Sequence, residues 1–212
     1  MIMKPLCALL LLGAAMSANA GVLLQQSFDN VAALSGSGWV RTNNSTTGGL
    51  TGWFQGDQST FGAQSGAPDS YIAANYNNAP AGGTLDNWLI SPEFSLSIGI
   101  GSSVSFWLRA DPVAGYSDQI SVGISNGSSS IGDFVLAAAF TAQTDGWARY
   151  TFNYLNTGGT ARFAINYNGL ADNANYIGVD SFEVSAIPEP ASLLLFGAGA
   201  MGLLAARRRR AR

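Results

Sequence analysis

Apolar and polar residues alternate with a period of two along much of this chain. Val104, Phe106 and Leu108 alternate with Ser103, Ser105, Trp107 and Arg109. Ile120, Val122 and Ile124 alternate with Gln119, Ser121, Gly123 and Ser125, and Phe163, Ile165 and Tyr167 with Arg162, Ala164 and Asn166. That period marks strands with one buried face. Further strands are predicted at Val22–Phe28, Trp39–Thr42, Trp53–Gln55, Tyr71–Asn75, Trp88–Ser91, Phe134–Phe140, Trp147–Leu155 and Tyr176–Val184. Clusters of Gly, Asn, Ser and Thr at 43–49, 77–83, 125–130, 156–160 and 169–175 supply the turns between them. About ten short strands without a helical period predict an all-β antiparallel sandwich. The last strand changes phase, with Ile177 and Val179 on one parity and Phe182 and Val184 on the other, which predicts a bulge at Asp180-Ser181.

Both ends depart from this pattern. Met1 to Ala20 holds Lys4, an apolar run from Leu6 to Met16 and the small-residue site Ala18-Asn19-Ala20. It reads as a secretory signal peptide cut after Ala20. At the other end, Pro188-Glu189-Pro190 precedes an apolar run, 191–206, and then Arg207, Arg208, Arg209, Arg210 and Arg212. At a rise of ~1.5 Å per residue the run makes about 24 Å of helix, short of a ~30 Å hydrocarbon core. A transient transmembrane anchor is expected, with the arginines cytoplasmic and everything before Pro188 outside. The organisation is therefore a signal peptide at 1–20, one exported domain at 21–187 and a sorting signal at 188–212. The three-part tail resembles the PEP-CTERM signal of Gram-negative bacteria. The resemblance implies processing near Pro188-Glu189-Pro190 by an exosortase-type protease. It also implies brief residence in the inner membrane, then the cell surface or extracellular matrix.

Charge looks different once the ends are set aside. Between Gly21 and Ile187 only Arg41, Arg109, Arg149 and Arg162 stand against twelve Asp and Glu, a net charge of −8. A lysine-free domain with that balance is a poor ligand for nucleic acid. Cys7 leaves with the signal peptide, so the exported domain contains no disulfide. Its stability must come from a core, and about 165 residues are enough to bury one.

A second resemblance spans roughly residues 23–185. It is carried by Ser27-Phe28-Asp29, Gly38-Trp39, and Asp86-Asn87-Trp88-Leu89-Ile90-Ser91-Pro92-Glu93. Val104-Ser105-Phe106, the Asp118–Ser125 strand, Trp147 and Tyr176-Ile177-Gly178-Val179-Asp180 continue it. The segment resembles choice-of-anchor J domains, which are similar to cleaved-adhesin and MAM-like domains. The resemblance implies a jelly-roll sandwich and a role in adhesion, biofilm or matrix association. It departs from the family at Ser181, where a second aspartate is usual.

Candidate chemistry is sparse. Gly123-Ile124-Ser125-Asn126-Gly127 fits a nucleophile elbow, which needs a histidine base and a strand-to-helix turn. The chain has no histidine, and three serines follow, so a hairpin turn is expected. Glycoside hydrolysis needs paired carboxylates. Before the sorting motif the only glutamates are Glu93 and Glu183, and the aspartates are scattered, so no enzyme is expected. Without histidine or mature cysteine the usual transition-metal ligands are missing, whereas calcium needs only oxygens. Asp29 and Asp180 are the candidate calcium pair, with Asp86 or Asp118 as supplements. A calcium-bound acidic site is also what the adhesin-like resemblance implies, and Ser181 weakens that expectation. The alternative is that both aspartates cap turns or accept from backbone amides. Of the five tryptophans, Trp88 and Trp147 are expected in the core, and Trp107 is expected either to face outward or to contact a second layer. Trp53, in a Gly-rich stretch, is the exposed candidate for stacking on a sugar. The expected function is exported, non-enzymatic adhesion or matrix association, the alternative a carbohydrate-binding module for exopolysaccharide.

Overall fold

The structure, a computed structural model, describes residues 21–96, 101–155 and 159–187, and Gly21–Ile187 forms one compact unit. The proposed signal peptide with Ala18 and Ala20, and the 188–212 signal with Pro188, Glu189, Pro190 and the arginines, lie outside the described residues. No helix among the described residues is long and apolar enough to cross a membrane.

The strands in chain order are β1 (Val22–Gln26), β2 (Val40–Asn43), β3 (Phe54–Gln55), β4 (Ile72–Asn75), β5 (Thr84–Ile90), β6 (Phe94–Leu96) and β7 (Gly101–Ala110). There follow β8 (Gln119–Ser125), β9 (Val135–Leu136), β10 (Phe140–Thr141), β11 (Ala148–Leu155), β12 (Gly159–Leu170) and β13 (Tyr176–Ile187). One sheet runs β11-β7-β13-β4-β3, with β1 also on β13. The other runs β10-β8-β12-β5-β2, with β6 also on β12 and β9 on β8. All of these pairings are antiparallel.

The alternation becomes a core between the sheets. Val104, Phe106 and Leu108 of β7 and Phe163, Ile165 and Tyr167 of β12 are all buried in one cluster. The Phe163 ring bridges the layers, 6.1 Å from Phe106 and 5.9 Å from Phe182. Burying each such side chain stabilises the fold by about 1.5–3 kcal/mol.

The predicted bulge is present. Asp180 pairs with Trp107 and Glu183 with Ser105, so two residues of β13 oppose one of β7. Ser181 adopts φ 49° there. The extra residue lets both Val179 and Phe182 enter the core. It leaves Asp180 on the outer face, on the same parity as Gly178.

That outer face is covered by the segment from Gly56 to Tyr71, under which Phe61, Tyr71, Ala73 and Tyr176 form a second cluster. Glycine is required at position 178, because a Cβ would stand 2.8 Å from Tyr71 and 2.9 Å from Phe61 and Trp147. On the other sheet's outer face, Trp88, Ile90, Phe134 and Ala164 form a third cluster.

The chain differs from the alternation reading where side chains leave the strand pattern. Residues 134–140 were expected as one strand, but Phe134 turns aside to pack 5.8 Å from Trp88. Only the short β9 and β10 remain, preceded by a 3-10 turn at Ile131–Asp133. A second 3-10 turn, Val31–Ser37, carries Val31 and Leu34 into the core between the Asn30 cap and Gly38 at φ 87°.

Candidate functional site

Asp180 is buried and surrounded by donors. Its Oδ2 accepts from the Gln64 amide at 2.9 Å and the Ser65 amide at 3.1 Å, and its Oδ1 from the Ser181 amide. Ser181 Oγ donates to Gln64 Oε1 at 3.0 Å. Burial pushes the Asp180 carboxyl above its ordinary value despite the amide bonds, which pull the other way. Asp29 is exposed, with Oδ2 accepting from Ser27 Oγ at 2.6 Å. Hydrogen bonds from Ser27 and then Ser70 hold its carboxyl below the usual range. The two aspartates thus engage the 64–70 loop, Asp180 at its first residues and Asp29 at Ser70.

Calcium requires a shell of oxygens. Both oxygens of Asp180 instead face N–H donors, and Ser181 gives its hydroxyl proton to Gln64. Among the described residues no group of three or more Asp or Glu side chains is placed to hold a metal ion. The residues at Asp180 do not fit a calcium ion, and they do fit a loop staple.

Trp53 is a correction. It is 4% exposed and belongs to the main core, so it offers no face to a sugar. The short β3 that follows pairs Phe54 with Ala73, and the Trp53 carbonyl accepts from Arg41 Nη1 at 3.3 Å. These contacts draw the Gly-rich stretch against the sandwich. Trp88 is buried as expected, and Trp107 is half-buried. Trp147 lies half-buried against the outer cluster, its Nε1 donating to Gly62 O at 2.9 Å.

The exposed aromatics lie elsewhere. A groove of about 820 Å³ opens where the turns around residues 48–50, 76–81, 113–116 and 171–175 meet. Topology explains the meeting, because β13 lies between β4 and β7, with β4 ending at Asn75, β7 at Ala110 and β13 beginning at Tyr176. Tyr176 pairs with Asn75, and Ile177 with Ala110. The turns that follow β4 and β7 therefore flank the turn that leads into β13.

Buried hydrogen bonds fix the walls. Asn78, 0% exposed, donates to Thr51 Oγ1 at 2.7 Å and Gly52 O at 3.2 Å, and accepts from Asn87 Nδ2 at 2.7 Å. Its carbonyl accepts from Asn43 Nδ2 at 2.7 Å and the Gly49 amide at 3.0 Å. Gly49 lies so close that a Cβ would stand 2.0 Å from Asn77 O. Across the groove, buried Asp118 accepts from Tyr167 Oη and, at 2.8 Å, from the Asn175 amide. Asn175 Nδ2 donates to Asp111 Oδ2 at 2.9 Å. Burial raises the Asp118 carboxyl above its ordinary value.

Between these walls Tyr76 and Tyr116 are each 46% exposed. Neither hydroxyl, nor the Asn77 carboxamide, has a hydrogen-bond partner among the described residues. Asp172 sits at the rim with Oδ1 accepting from the Gly82 amide at 2.9 Å. Sequence reasoning missed both tyrosines, since they lie in turns with no period and forty residues apart. Their one local signal was a tyrosine beside turn-forming Asn or Ser.

Comparison with known proteins adds two findings. Residues 186–210 match the PEP-CTERM protein-sorting motif, which marks an exported, exosortase-sorted protein. A search of curated proteins gives no match. Among solved structures, the K1 cleaved adhesin domain of Lys-gingipain from Porphyromonas gingivalis W83 is 20% identical. That alignment covers 80% of this chain and 100% of that one, with a TM-score of 0.57. The K3 domain of the same protein is 17% identical over 79% of this chain and 99% of its own, with a TM-score of 0.58. A CBM22-1 xylan-binding domain from Paenibacillus barcinonensis is 14% identical over 82% of this chain and 100% of its own, with a TM-score of 0.48. The chain is an exported β-sandwich with the fold of cleaved adhesin domains, carrying a PEP-CTERM sorting motif.

Proposed function

We propose that this protein is a non-catalytic adhesion or matrix-association domain that works outside the cell and holds exopolysaccharide in the Tyr76–Tyr116 groove. The groove carries the reading: two half-exposed tyrosines with uncommitted hydroxyls lie between walls fixed by buried hydrogen bonds. A sugar presents C–H ring faces that suit aromatic rings and hydroxyls that suit amide and carboxylate groups. The adhesin fold supports the adhesion role, and the sorting motif supports the extracellular setting.

A binding role also agrees with where the acids and the candidate nucleophile sit. Glu93 lies beside Arg162, 4.0 Å away, next to the β5–β12 sheet, while Glu183 is on β13 of the other sheet. Ser125 donates its hydroxyl to Ser128 O at 2.6 Å within the turn. In this reading the tail crosses the inner membrane only until an exosortase-type protease cuts near Pro188-Glu189-Pro190.

Mass spectrometry of the exported protein tests the sorting, with a C-terminus near Pro190 as the expected result. An intact chain retained in the cytoplasm overturns it. Polysaccharide pull-down with the same protein tests the groove, and capture of no polysaccharide at all overturns the glycan role.

A further inference from the structure

We infer that the groove selects uncharged glycans and rejects acidic ones; this deepens the glycan reading above and rests on it. The first observation is where the domain's positive charges lie. Arg41 donates to Trp53 O, and Arg109 lies over the Phe61 ring at 4.5 Å. Arg149 donates to Ser105 Oγ at 3.0 Å. Arg162 donates to the carbonyls of Gly38, Ser91 and Gly127 and neighbours Glu93. These are all the basic residues between Gly21 and Ile187, and none lines the groove.

The second observation is the charge that the groove does carry. Asp172 stands at the rim, and Asp111 lies behind Asn175. A uronate or sulfate entering here finds no counter-charge and approaches a fixed carboxylate, within a domain of net charge −8. Like charges brought together in a partly desolvated groove repel, and that repulsion discriminates against the acidic ligand.

An uncharged glycan meets none of this. Its hydroxyls can donate to Asp172 Oδ2 and exchange hydrogen bonds with the Asn77 carboxamide and the two tyrosine hydroxyls. Tyr76 and Tyr116 are each 46% exposed, and neither ring contacts another aromatic ring among the described residues, which leaves ring surface for contact with a sugar. A space of about 820 Å³ is within the range of small-molecule sites and holds a short run of sugar rings rather than a single one.

The test is affinity electrophoresis of the exported full chain through gels holding a neutral glucan, xylan or galactan, or a carboxymethylated glucan. At least one neutral polymer is expected to retard the protein, equally at low salt and at about 0.5 M salt, since no charge pairing is involved. Tyr76→Ala and Tyr116→Ala are each expected to weaken that binding about tenfold. Tyr76→Phe and Tyr116→Phe keep the stacking face and are expected to lose less, with melting temperatures unchanged in all four variants. Retardation by the carboxymethylated glucan alone, abolished by salt and by Tyr76→Ala, overturns the selectivity while leaving the glycan role standing. Neutral-glycan binding that survives the Tyr76→Ala/Tyr116→Ala double variant overturns the assignment to this groove. Binding to none of the polymers defeats the glycan reading itself.

Discussion

Two tyrosine-bearing loop regions of this sandwich make a natural comparison. Under the Gly56–Tyr71 segment, Tyr71 and Tyr176 are buried, with their hydroxyls 3.0 Å apart. Tyr71 Oη also bonds the carbonyls of Asp57 at 2.8 Å and Phe61 at 3.0 Å. Five residues further along the chain, Tyr76 is half exposed and its hydroxyl has no partner among the described residues. Both regions carry glycines at their turns, and both are braced by carboxylates or carboxamides. One loop folds down over its rings and is stapled there by Asp180. The other turns are held by Asn78 and Asp118, and Tyr76 and Tyr116 stay half exposed between them. The difference teaches that a braced turn can either complete a core or hold a surface open, depending on which side the brace pulls.

Variants can break this comparison at either region. The largest effect is expected from Trp53→Ala, which leaves a cavity in the main core and costs about 3–5 kcal/mol. Chemical denaturation measures it, and the folded fraction is expected to bind glycan as before. A loss of binding without a loss of stability would return Trp53 to the surface role that its burial excludes.

Next comes Asp180→Ala, which strips the acceptor from the Gln64, Ser65 and Ser181 amides. Leaving them unpaired is expected to cost about 2–4 kcal/mol. For a domain of this size that lowers the melting temperature by roughly 4–15 °C. Glycan binding is expected to remain, because the groove is braced independently of Asp180. The companion measurement is a melting curve with EDTA or added Ca2+, where no shift is expected. A ligand that binds only the native state must raise its stability, so a rise with Ca2+ would contradict the loop-staple assignment.

A smaller effect is expected from pH. Asp118 has a raised carboxyl value in the fold because of burial. Its contribution is therefore full below the unfolded carboxylate value and declines as pH rises through the folded one. Asp118→Asn keeps an acceptor for Tyr167 and Asn175 but removes the ionisation. Relative to the wild type it is expected to gain stability as pH rises, read from denaturant midpoints between pH 3 and pH 8. A relative loss over that interval would mean that the charge itself is favoured in the fold.

Much of the sandwich was legible because alternation is a local signal. Val104, Phe106 and Leu108 declare their buried face without reference to any other strand. The bulge was legible for the same reason, since the parity change between Val179 and Phe182 appears within one segment. Residues 134–140 were not, because Phe134 answers to Trp88 on another strand rather than to its own neighbours. Trp53 misled for a related reason, as glycine neighbours resemble a loop whether or not the ring turns inward. Asp29 lies just after the first strand and Asp180 in the last, yet Asp180 is held by the Gln64 and Ser65 amides and Asp29 by the Ser27 and Ser70 hydroxyls, partners that no spacing rule connects to both. The groove was least legible of all. Tyr76 and Tyr116 come together only through the placement of β13 between β4 and β7.

The central claim is that open tyrosines bind and stapled tyrosines support. Its most direct test is one binding isotherm on a neutral polysaccharide that retards the wild type, repeated for Tyr76→Ala/Tyr116→Ala and for Asp180→Ala. The expected result is binding lost in the double tyrosine variant at an unchanged melting temperature, and binding kept in Asp180→Ala at a lowered one. The reverse pattern, with binding kept in the tyrosine variant and lost in folded Asp180→Ala, would contradict the account.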